Sequence, residues 1–200
     1  RNNSIIKPDG FDIPFKAEQV HGISTQRALE EGRDLETVLA EFHKDLERTH
    51  LLVGHNIEFD INIIGAELIR KKLPTEIFLA LDKVDTSISA IEFCQLSGGP
   101  GGKLKMPRLT ELHEKLFGKP FEDAHDASYD VAATARSFFG LVQRKIVPTF
   151  DGYAPDKIIY EEPDLEAGNS GKRQKVKGID YGAHNETDLT DKLFCHLHVH

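Results

Sequence analysis

Tryptophan is absent from this 200-residue sequence, which also has only one methionine and two cysteines. Because Cys94 and Cys195 lie far apart, the sequence excludes a disulfide-stapled secreted scaffold and a Cys-x-x-Cys zinc site. It has no run of about 18 apolar residues, so no apolar helix of the length that spans a bilayer is expected. These absences favour a cytoplasmic protein without membrane contact.

Positive charge is also scarce, since 25 Lys and Arg residues stand against 33 Asp and Glu residues and give a net charge of −8. This balance argues against tight binding of nucleic acid through its phosphates alone. A site built from carboxylates stays negative until divalent cations occupy it. Any chemistry of this chain on nucleic acid is therefore expected to need metal ions.

Apolar residues are unevenly distributed, which predicts one folded domain followed by a tail. Over residues 1–147 they recur at helical and strand spacings, and they suffice for one core. Residues 148–190 are poor in Ile, Leu and Val and are expected to form a linker. Within it, residues 172–177 are a short basic patch that fits either a solvated linker or a DNA contact.

Strand-like and helix-like segments alternate within residues 1–147, which predicts an α/β domain. Asp34 precedes apolar residues at helical spacing and is expected to cap a helix. Residues 51–53 predict a buried strand that ends at Gly54, and Asn56 is expected to cap the next helix. Further expected elements are a strand over 79–84, a single helix bearing Ile88, Ile91 and Phe93, and a helix that begins near Pro107 and ends at Gly118. The last expected helix is capped by Asp126, and its apolar stripe comprises Val131, Ala132, Ala135, Phe138, Phe139 and Val142.

The first candidate site follows the predicted buried strand. Residues 54–60 read Gly-His-Asn-Ile-Glu-Phe-Asp and lie at the carboxyl end of that strand, where open α/β sheets bind their ligands. Asp60 lies one helical turn after Asn56, so its carboxylate could reach a metal at the sheet edge. Alternatively, Asp60 only complements the positive end of the helix. Phe59 is expected to belong to the core in either case.

The second candidate site is the start of the last predicted helix. His125 precedes this helix, and Asp130 is expected on the inner side of its first turn. A histidine beside a metal-held water can remove its proton near neutral pH, and a carboxylate one turn away can hold the metal. Taken alone, the pattern also fits a surface histidine and a solvated aspartate. Two such segments at the mouth of one sheet favour a site.

Together these segments resemble two motifs of the 3′-to-5′ exonucleases that use four acidic metal ligands and a catalytic histidine. The similarity extends to the epsilon-type proofreading exonucleases of bacterial DNA polymerase III. Gly54-His55-Asn56-x-x-Phe59-Asp60 resembles the second motif of this family, and His125-x-Ala127-x-x-Asp130 resembles the third. Further similar stretches are Ile6-Lys7-Pro8, Val20-His21-Gly22-Ile23-Ser24, Asp85-Thr86, Pro107-Arg108-Leu109-Thr110-Glu111-Leu112 and Leu116-Phe117-Gly118.

This resemblance implies a ribonuclease H-like fold, with a mixed central sheet flanked by helices, and two divalent ions, Mg²⁺ or Mn²⁺. Asp60 and Asp130 would be metal ligands, and His125 would be the general base for the attacking water. The residues implied to border the terminal nucleotide are His21, Gly22, Ile23, Asn56 and Phe59. The implied substrate is a single-stranded 3′ end of DNA. A mismatched 3′ end unpairs at a lower cost than a correctly paired one, so it reaches such a site more readily.

The sequence departs from the family pattern at its start, because the Asp-x-Glu of the first motif has no counterpart. Asp45-Leu46-Glu47 lies late in a predicted helix, and Asp164-Leu165-Glu166 lies in the linker. Since half of the acidic ligands are missing, we expect residues 1–200 by themselves to bind metal weakly and to have little exonuclease activity. The first strands of the sheet are also expected to be missing, and Arg1 in place of Met favours a fragment.

Histidines alternate with other residues at the C-terminal end, which fits an expression tag or a metal-binding strand. The stretch resembles the start of the polymerase-and-histidinol-phosphatase domain that opens the alpha subunit of bacterial DNA polymerase III. By this resemblance residues 191–200 begin such a domain, and His198 and His200 form a second, separate metal site. The implied partners are the polymerase III alpha subunit, or a polymerase part of the same chain, and a sliding clamp.

Two other functions fit the same residues. The first is an RNA-trimming exonuclease of the RNase T or oligoribonuclease type, with the same metal cage. The second is a non-catalytic domain that docks a clamp or a polymerase. A docking role would not require His125 together with Asp60 and Asp130, which favours the catalytic interpretation.

Overall fold

The fold is that of a computed structural model, which describes residues 4–119, 127–147 and 195–196. These residues divide into two compact units. The first, here called the sheet unit, comprises residues 4–85, 127–131 and 195–196, and the second, the helical unit, comprises residues 86–119 and 132–147. None of the described helices is both long enough and apolar enough to cross a membrane.

Short helices and strands alternate along the sheet unit. In chain order its elements are α1 (Phe15–His21), α2 (Thr25–Glu31), α3 (Leu35–Leu46), β1 (Leu51–Gly54), α4 (Ile57–Arg70), α5 (Glu76–Ala80), β2 (Asp82–Asp85) and β3 (Cys195–His196). The helical unit contains α6 (Thr86–Ser89), α7 (Ile91–Cys94), a 3-10 turn (Pro100–Gly102) and α8 (Leu109–Phe117). The long helix α9 (Ala127–Gln143) begins in the sheet unit and continues in the helical unit.

The sheet has the strand order β2-β1-β3, and each strand pair that the structure describes is parallel. Leu51 pairs with Asp82 and Gly54 pairs with Asp85, so β1 and β2 end at the same edge. On its other side, β1 pairs with β3. All four residues of β1 are buried, as predicted for a strand that is covered on both faces.

The core of the sheet unit joins α3, β1, α4 and α5. Its buried side chains are Leu39, Leu46, Leu52, Ile57, Ile64, Leu68 and Phe78. Full burial of an aliphatic or aromatic side chain of this size stabilises a fold by about 1.5–3 kcal/mol. This core holds α4 against β1, so the first turn of α4 lies just beyond the carboxyl end of the strand.

The start of α3 follows the sequence-based expectation. Asp34 is its N-cap, and the Asp34 carboxylate accepts a hydrogen bond from the Thr37 amide at 2.9 Å. This contact and the bond from the Thr37 hydroxyl lower the pKa of Asp34. The whole cap lies within four consecutive residues, which explains why the sequence was enough to predict it.

The strand predicted over residues 79–84 begins later than expected. Residues Glu76–Ala80 form α5 instead, and β2 begins at Asp82. The helical turn buries Phe78 completely and leaves Leu79 58% exposed. A short apolar run fits a strand or a helical turn equally well, so periodicity did not reveal the difference.

The single helix expected across Ile88, Ile91 and Phe93 is two short helices, α6 and α7. Ala90 separates them with φ −96° and ψ 1°, which are not helical values. Ala90 and Cys94 are buried, while Ile88 is exposed. Burial raises the pKa of the Cys94 thiol.

The C-terminal boundary of α8 agrees with the prediction, and its start is slightly different. Gly118 ends the helix with a left-handed φ of 74°, a conformation that glycine adopts without steric cost. Pro107 lies just before the helix rather than in its first turn, because Arg108 is the N-cap.

Helix α8 carries a fully buried histidine, His113. Its Nδ1 lies 2.9 Å from the carbonyl oxygen of Lys119, and its Nε2 lies 3.3 Å from Nε of Arg136. Because a carbonyl only accepts and a guanidinium only donates, these contacts require a neutral imidazole with the proton on Nδ1. Burial lowers the pKa of His113, which favours the same neutral form.

The buried face of α9 is rotated relative to the predicted apolar stripe. Phe138 and Val142 are buried as expected. Four other members of that stripe are only partly buried, namely Val131, Ala132, Ala135 and Phe139. The buried positions of the helix include Ala133, Thr134, Ser137 and Leu141. Two of these are polar, so a search for apolar residues alone placed the face wrongly. The predicted cap Asp126 lies outside the described residues.

Candidate functional site

The candidate site begins where β1 turns into α4. Only His55 and Asn56 separate the last strand residue, Gly54, from the first helical residue, Ile57. A Cβ on Gly54 would lie 2.7 Å from the Cβ of Ile57, closer than such atoms approach in proteins. The turn therefore requires glycine for a close approach, and this approach brings the first turn of α4 directly to the sheet edge.

Asn56 occupies the N-cap position of α4, but the predicted side-chain cap is wrong. Asn56 adopts a left-handed conformation with φ 63° and ψ 46°, and among the described residues its side chain forms no capping bond. Asparagine tolerates this conformation better than most residues. The side chain is exposed, so it is accessible from solvent at the mouth of the turn.

The carboxylate of Asp85 caps α4 in place of Asn56. Its Oδ1 accepts the Asn56 amide at 3.0 Å, and its Oδ2 accepts the Ile57 amide at 3.1 Å. The sequence motifs assign no role to Asp85. The available signal was its place at the end of the next parallel strand, since parallel strands bring their carboxyl ends to one edge.

Asp60 lies on the first turn of α4 and points into the protein. Its side chain is buried, with 3% exposure, although the preceding residues Glu58 and Phe59 are exposed. Burial of a carboxylate is costly unless hydrogen bonds, cations or metal ions compensate it. Burial fits a metal ligand as well as the alternative interpretation from the sequence, a complement to the positive end of α4.

Phe59 does not belong to the core, contrary to the sequence-based expectation. Its side chain is 54% exposed. Phe59 and Asp60 are neighbours on a helix, so their side chains point in directions about 100° apart, and the buried direction is taken by Asp60. The predicted contact of Phe59 with a nucleotide is compatible with this exposure and stays a prediction.

The predicted nucleotide-binding residues lie where α1 ends and the turn to α2 begins: His21 is the last residue of α1, and Gly22 and Ile23 follow it. Gly22 ends α1 with a left-handed φ of 69°. The Ile23 amide donates to Nδ1 of His21 at 3.1 Å. Because Nδ1 accepts this bond, a neutral His21 carries its proton on Nε2 and can donate it to another group. The structure holds the ring in one orientation, and the role in binding stays a prediction.

Asp130 lies in the first turn of α9 and is also buried, with 8% exposure. The first turn of α9 belongs to the sheet unit, as Asp60 does. One compact unit therefore contains both of the aspartates that were predicted as metal ligands. His125, the predicted general base, lies outside the described residues, as do His198 and His200 of the second predicted metal site.

The chemistry of Asp60 and Asp130 suits a hard divalent cation, since Mg²⁺ and Mn²⁺ prefer carboxylate oxygens. Among the described residues, no three His, Cys, Asp or Glu side chains lie close enough together to hold a metal ion by themselves. The two carboxylates fit part of the ligand set that such an ion needs. The predicted pair of divalent ions and the ligand roles of Asp60 and Asp130 stay predictions.

Known proteins resemble this chain over most of its length. A model of the exonuclease family RNase_T matches residues 2–138. Ribonuclease T of Buchnera aphidicola is 29% identical over 157 residues, which are 74% of this chain and 66% of that protein. Ribonuclease T of Marinobacter nauticus is 34% identical over 116 residues, or 56% of this chain and 47% of that protein.

Polymerases resemble the chain over a longer stretch but at lower identity. The PolC-type DNA polymerase III of Streptococcus thermophilus is 26% identical over 180 residues. These residues are 90% of this chain and only 11% of that polymerase. The chain thus spans less than two thirds of the length of each of these relatives and a small part of the polymerase.

Proposed function

The chain belongs to the RNase_T family of exonucleases, and from this premise we propose that it removes nucleotides from the 3′ end of DNA as a proofreading domain. In this proposal the domain serves a bacterial DNA polymerase III, on the same chain as the polymerase or beside its alpha subunit. The observation that carries the proposal is the burial of Asp60 and Asp130 at the first turns of two helices in one compact unit.

The geometry of the β1–α4 turn supports a role in chemistry. It puts Asp60 just beyond the carboxyl ends of β1 and β2, the edge at which open α/β sheets bind ligands. A net charge of −8 is unfavourable for binding phosphates, so a function at this edge on nucleic acid calls for cations.

In the proposed mechanism Asp60 and Asp130 would supply part of the ligand set for two divalent ions, Mg²⁺ or Mn²⁺. When bound, such ions lower the pKa of the attacking water and stabilise the leaving oxygen. His125 would accept the proton of that water, a task that suits imidazole near neutral pH. The protein's contribution is to hold these groups in fixed positions and to bring the terminal phosphodiester to them.

The terminal nucleotide would be held by groups that the structure leaves accessible. Phe59 offers an exposed aromatic face on which a base can stack, a contact worth about 1–3 kcal/mol per base. His21 can donate through Nε2 to a phosphate or sugar oxygen, because its Nδ1 is occupied by the Ile23 amide. The Gly22 backbone and the exposed Asn56 side chain would complete this subsite.

A link to a polymerase would increase the local concentration of the exonuclease at the primer end. The similarity to the PolC-type polymerase over 90% of this chain supports this part of the proposal. Residues 148–190 would then serve as the tether.

The test uses the full-length protein and a 5′-labelled single-stranded DNA oligonucleotide. Asp60→Asn and Asp130→Asn should each reduce Mg²⁺-dependent 3′-end trimming by more than about 100-fold, since loss of a residue that only orients a ligand costs about 10–100-fold. His125→Ala should reduce it as well. Glu58→Gln is the matched control, because it removes an exposed carboxylate from the same helical turn.

Retained trimming in the Asp60→Asn or Asp130→Asn protein would overturn the catalytic assignment of these residues. No trimming by the unsubstituted protein would favour a domain that only docks a clamp or a polymerase. RNA trimming is the second candidate function, and the similarity to two ribonuclease T proteins favours it. An RNA oligonucleotide of the same sequence separates the two. A kcat/KM that is higher for RNA than for DNA would replace the proofreading proposal with RNA processing.

A further inference from the structure

Asp85 makes a two-point contact with the backbone of the β1–α4 turn. One oxygen of its carboxylate accepts the Asn56 amide at 3.0 Å, and the other accepts the Ile57 amide at 3.1 Å. Asp85 is the last residue of β2, and its register partner in β1 is Gly54. The contact therefore links the end of one strand to the segment that leaves the neighbouring strand.

The contact lies at a point where the backbone conformation is unfavourable. Asn56 is left-handed, a conformation that is unfavourable for residues other than glycine. The first amides of a helix have no partners within the helix, and among the described residues the Asn56 side chain does not supply one. The Asp85 carboxylate satisfies two of these amides, and its negative charge complements the positive end of α4.

The direction in which α4 leaves the turn determines where Asp60 lies. Asp60 is only three residues beyond Ile57, within the first helical turn. Rotation of this turn would move the buried Asp60 carboxylate, the exposed Phe59 ring and the Asn56 side chain together. An error of about 1 Å in the position of a reacting group can cost about 100-fold in rate.

We propose that Asp85 is a positioning residue for the exonuclease site, which acts through the Asn56 and Ile57 amides to fix the first turn of α4. It contacts neither the metal ligands nor the substrate through these two bonds. The catalytic consequence of this inference rests on the proposed function. The contact between Asp85 and the two amides does not depend on that function. The neighbouring strand thus holds the helix that bears Asp60.

The structural part is tested on the 200-residue chain by amide hydrogen exchange measured by NMR. Asp85→Ala removes both acceptors and should accelerate exchange at the Asn56 and Ile57 amides. Asp85→Asn keeps the shape of the side chain but leaves only one acceptor oxygen, so exchange should accelerate at one of the two amides. Asp82→Asn is the matched control, because it removes an exposed carboxylate from the other end of β2 and should change neither amide.

The catalytic part is tested on the full-length protein, with Asp60→Asn measured in parallel. Asp85→Ala should lower kcat for 3′-end trimming by about 10–100-fold, the range for residues that orient metal ligands. KM for the oligonucleotide should change little, and the Mg²⁺ concentration needed for half-maximal rate should rise. Asp85→Asn should show the same changes to a smaller extent, and Asp82→Asn should show none.

The outcomes separate this inference from the proposed function. Unchanged exchange at both amides in Asp85→Ala overturns the inference, as does accelerated exchange with an unchanged kcat and Mg²⁺ requirement. If Asp60→Asn remains active, the proposed function is wrong whatever the exchange data show. If Asp85→Ala does not fold, Asp85→Asn decides the question by the same three measurements.

Discussion

Helices α3 and α4 pack into the same core, yet their N-termini are held in different ways. Asp34 caps α3 from within its own sequence, through the amide of Thr37 three residues later. The start of α4 contains the left-handed Asn56 and is capped by Asp85, the last residue of the strand β2. The helix with the local cap carries no proposed site residue, whereas the helix held from a distance carries Asp60. Backbone strain of this kind persists only where surrounding structure imposes it, and it is often found at functional sites.

The largest effect on stability is expected for Gly54→Ala, at the turn before α4. The new Cβ would lie 2.7 Å from Cβ and Cγ1 of Ile57, so the helix start must shift. We expect the free energy of unfolding to fall by about 1–3 kcal/mol, as for overpacked core positions. Urea denaturation measures this change.

Gly65→Ala is the matched control in the same helix. The nearest atom to its new Cβ is Cε1 of Phe78 at 3.9 Å, an ordinary contact. Alanine should therefore stabilise the helix interior there by about 0.5–1 kcal/mol. Equal effects of the two substitutions would contradict the view that the turn before α4 is sterically constrained.

A second experiment extends the comparison to α8, which has a cap from within its own sequence and also contacts with more distant residues. Its start is capped locally, because the Glu111 carboxylate accepts the Arg108 amide at 2.7 Å. Farther along, His113 contacts the more distant residues Lys119 and Arg136.

Burial lowers the pKa of His113 in the folded chain, while the pKa of this histidine in the unfolded chain is near 6.5. The unfolded state therefore binds more protons below pH 6.5, and stability should fall as the pH is lowered from 7 towards 5.5.

For one proton, this loss has a maximum slope of about 1.4 kcal/mol per pH unit. His113→Gln should flatten the pH dependence of the free energy of unfolding, whatever its effect on stability at pH 7. His50→Gln, which changes an exposed histidine, is the matched control. Identical slopes for the parent chain and His113→Gln would show that the buried imidazole does not contribute.

The smallest effect is expected at the local cap of α3. Asp34→Ala should lower the thermal unfolding midpoint by roughly 2–4 °C, the amount expected for a lost helix cap in a chain of this size. Because α3 carries no proposed site residue, kcat for 3′-end trimming should stay the same in the full-length protein. A loss of activity comparable to that of Asp85→Ala would remove the distinction between the two helix starts.

The sequence allowed correct predictions wherever the relevant contacts are local. The cap at Asp34, the buried strand that ends at Gly54 and the C-terminal boundary at Gly118 each depend on a few consecutive residues. The exonuclease family and the ribonuclease H-like α/β class were predicted from motifs, and the match over residues 2–138 confirms them.

Predictions failed where a distant residue decides the outcome. The capping role of Asp85 depends on strand register, which a motif does not contain. The exposure of Phe59 follows from the rotation of α4 on β1, which buries Asp60 instead. The buried polar residues Thr134 and Ser137 likewise shift the face of α9 away from its apolar stripe. The roles of the individual site residues and the domain boundaries at 147 and 190 stay predictions.

The buried thiol of Cys94 has a practical consequence. Its raised pKa and its burial in α7 both suppress reaction with alkylating reagents, which attack the exposed thiolate. With Cys195 replaced by serine, Cys94 would be the sole cysteine of the chain. Its modification rate in native buffer would then report how often the helical unit opens transiently, and the measurement would need no substrate or metal.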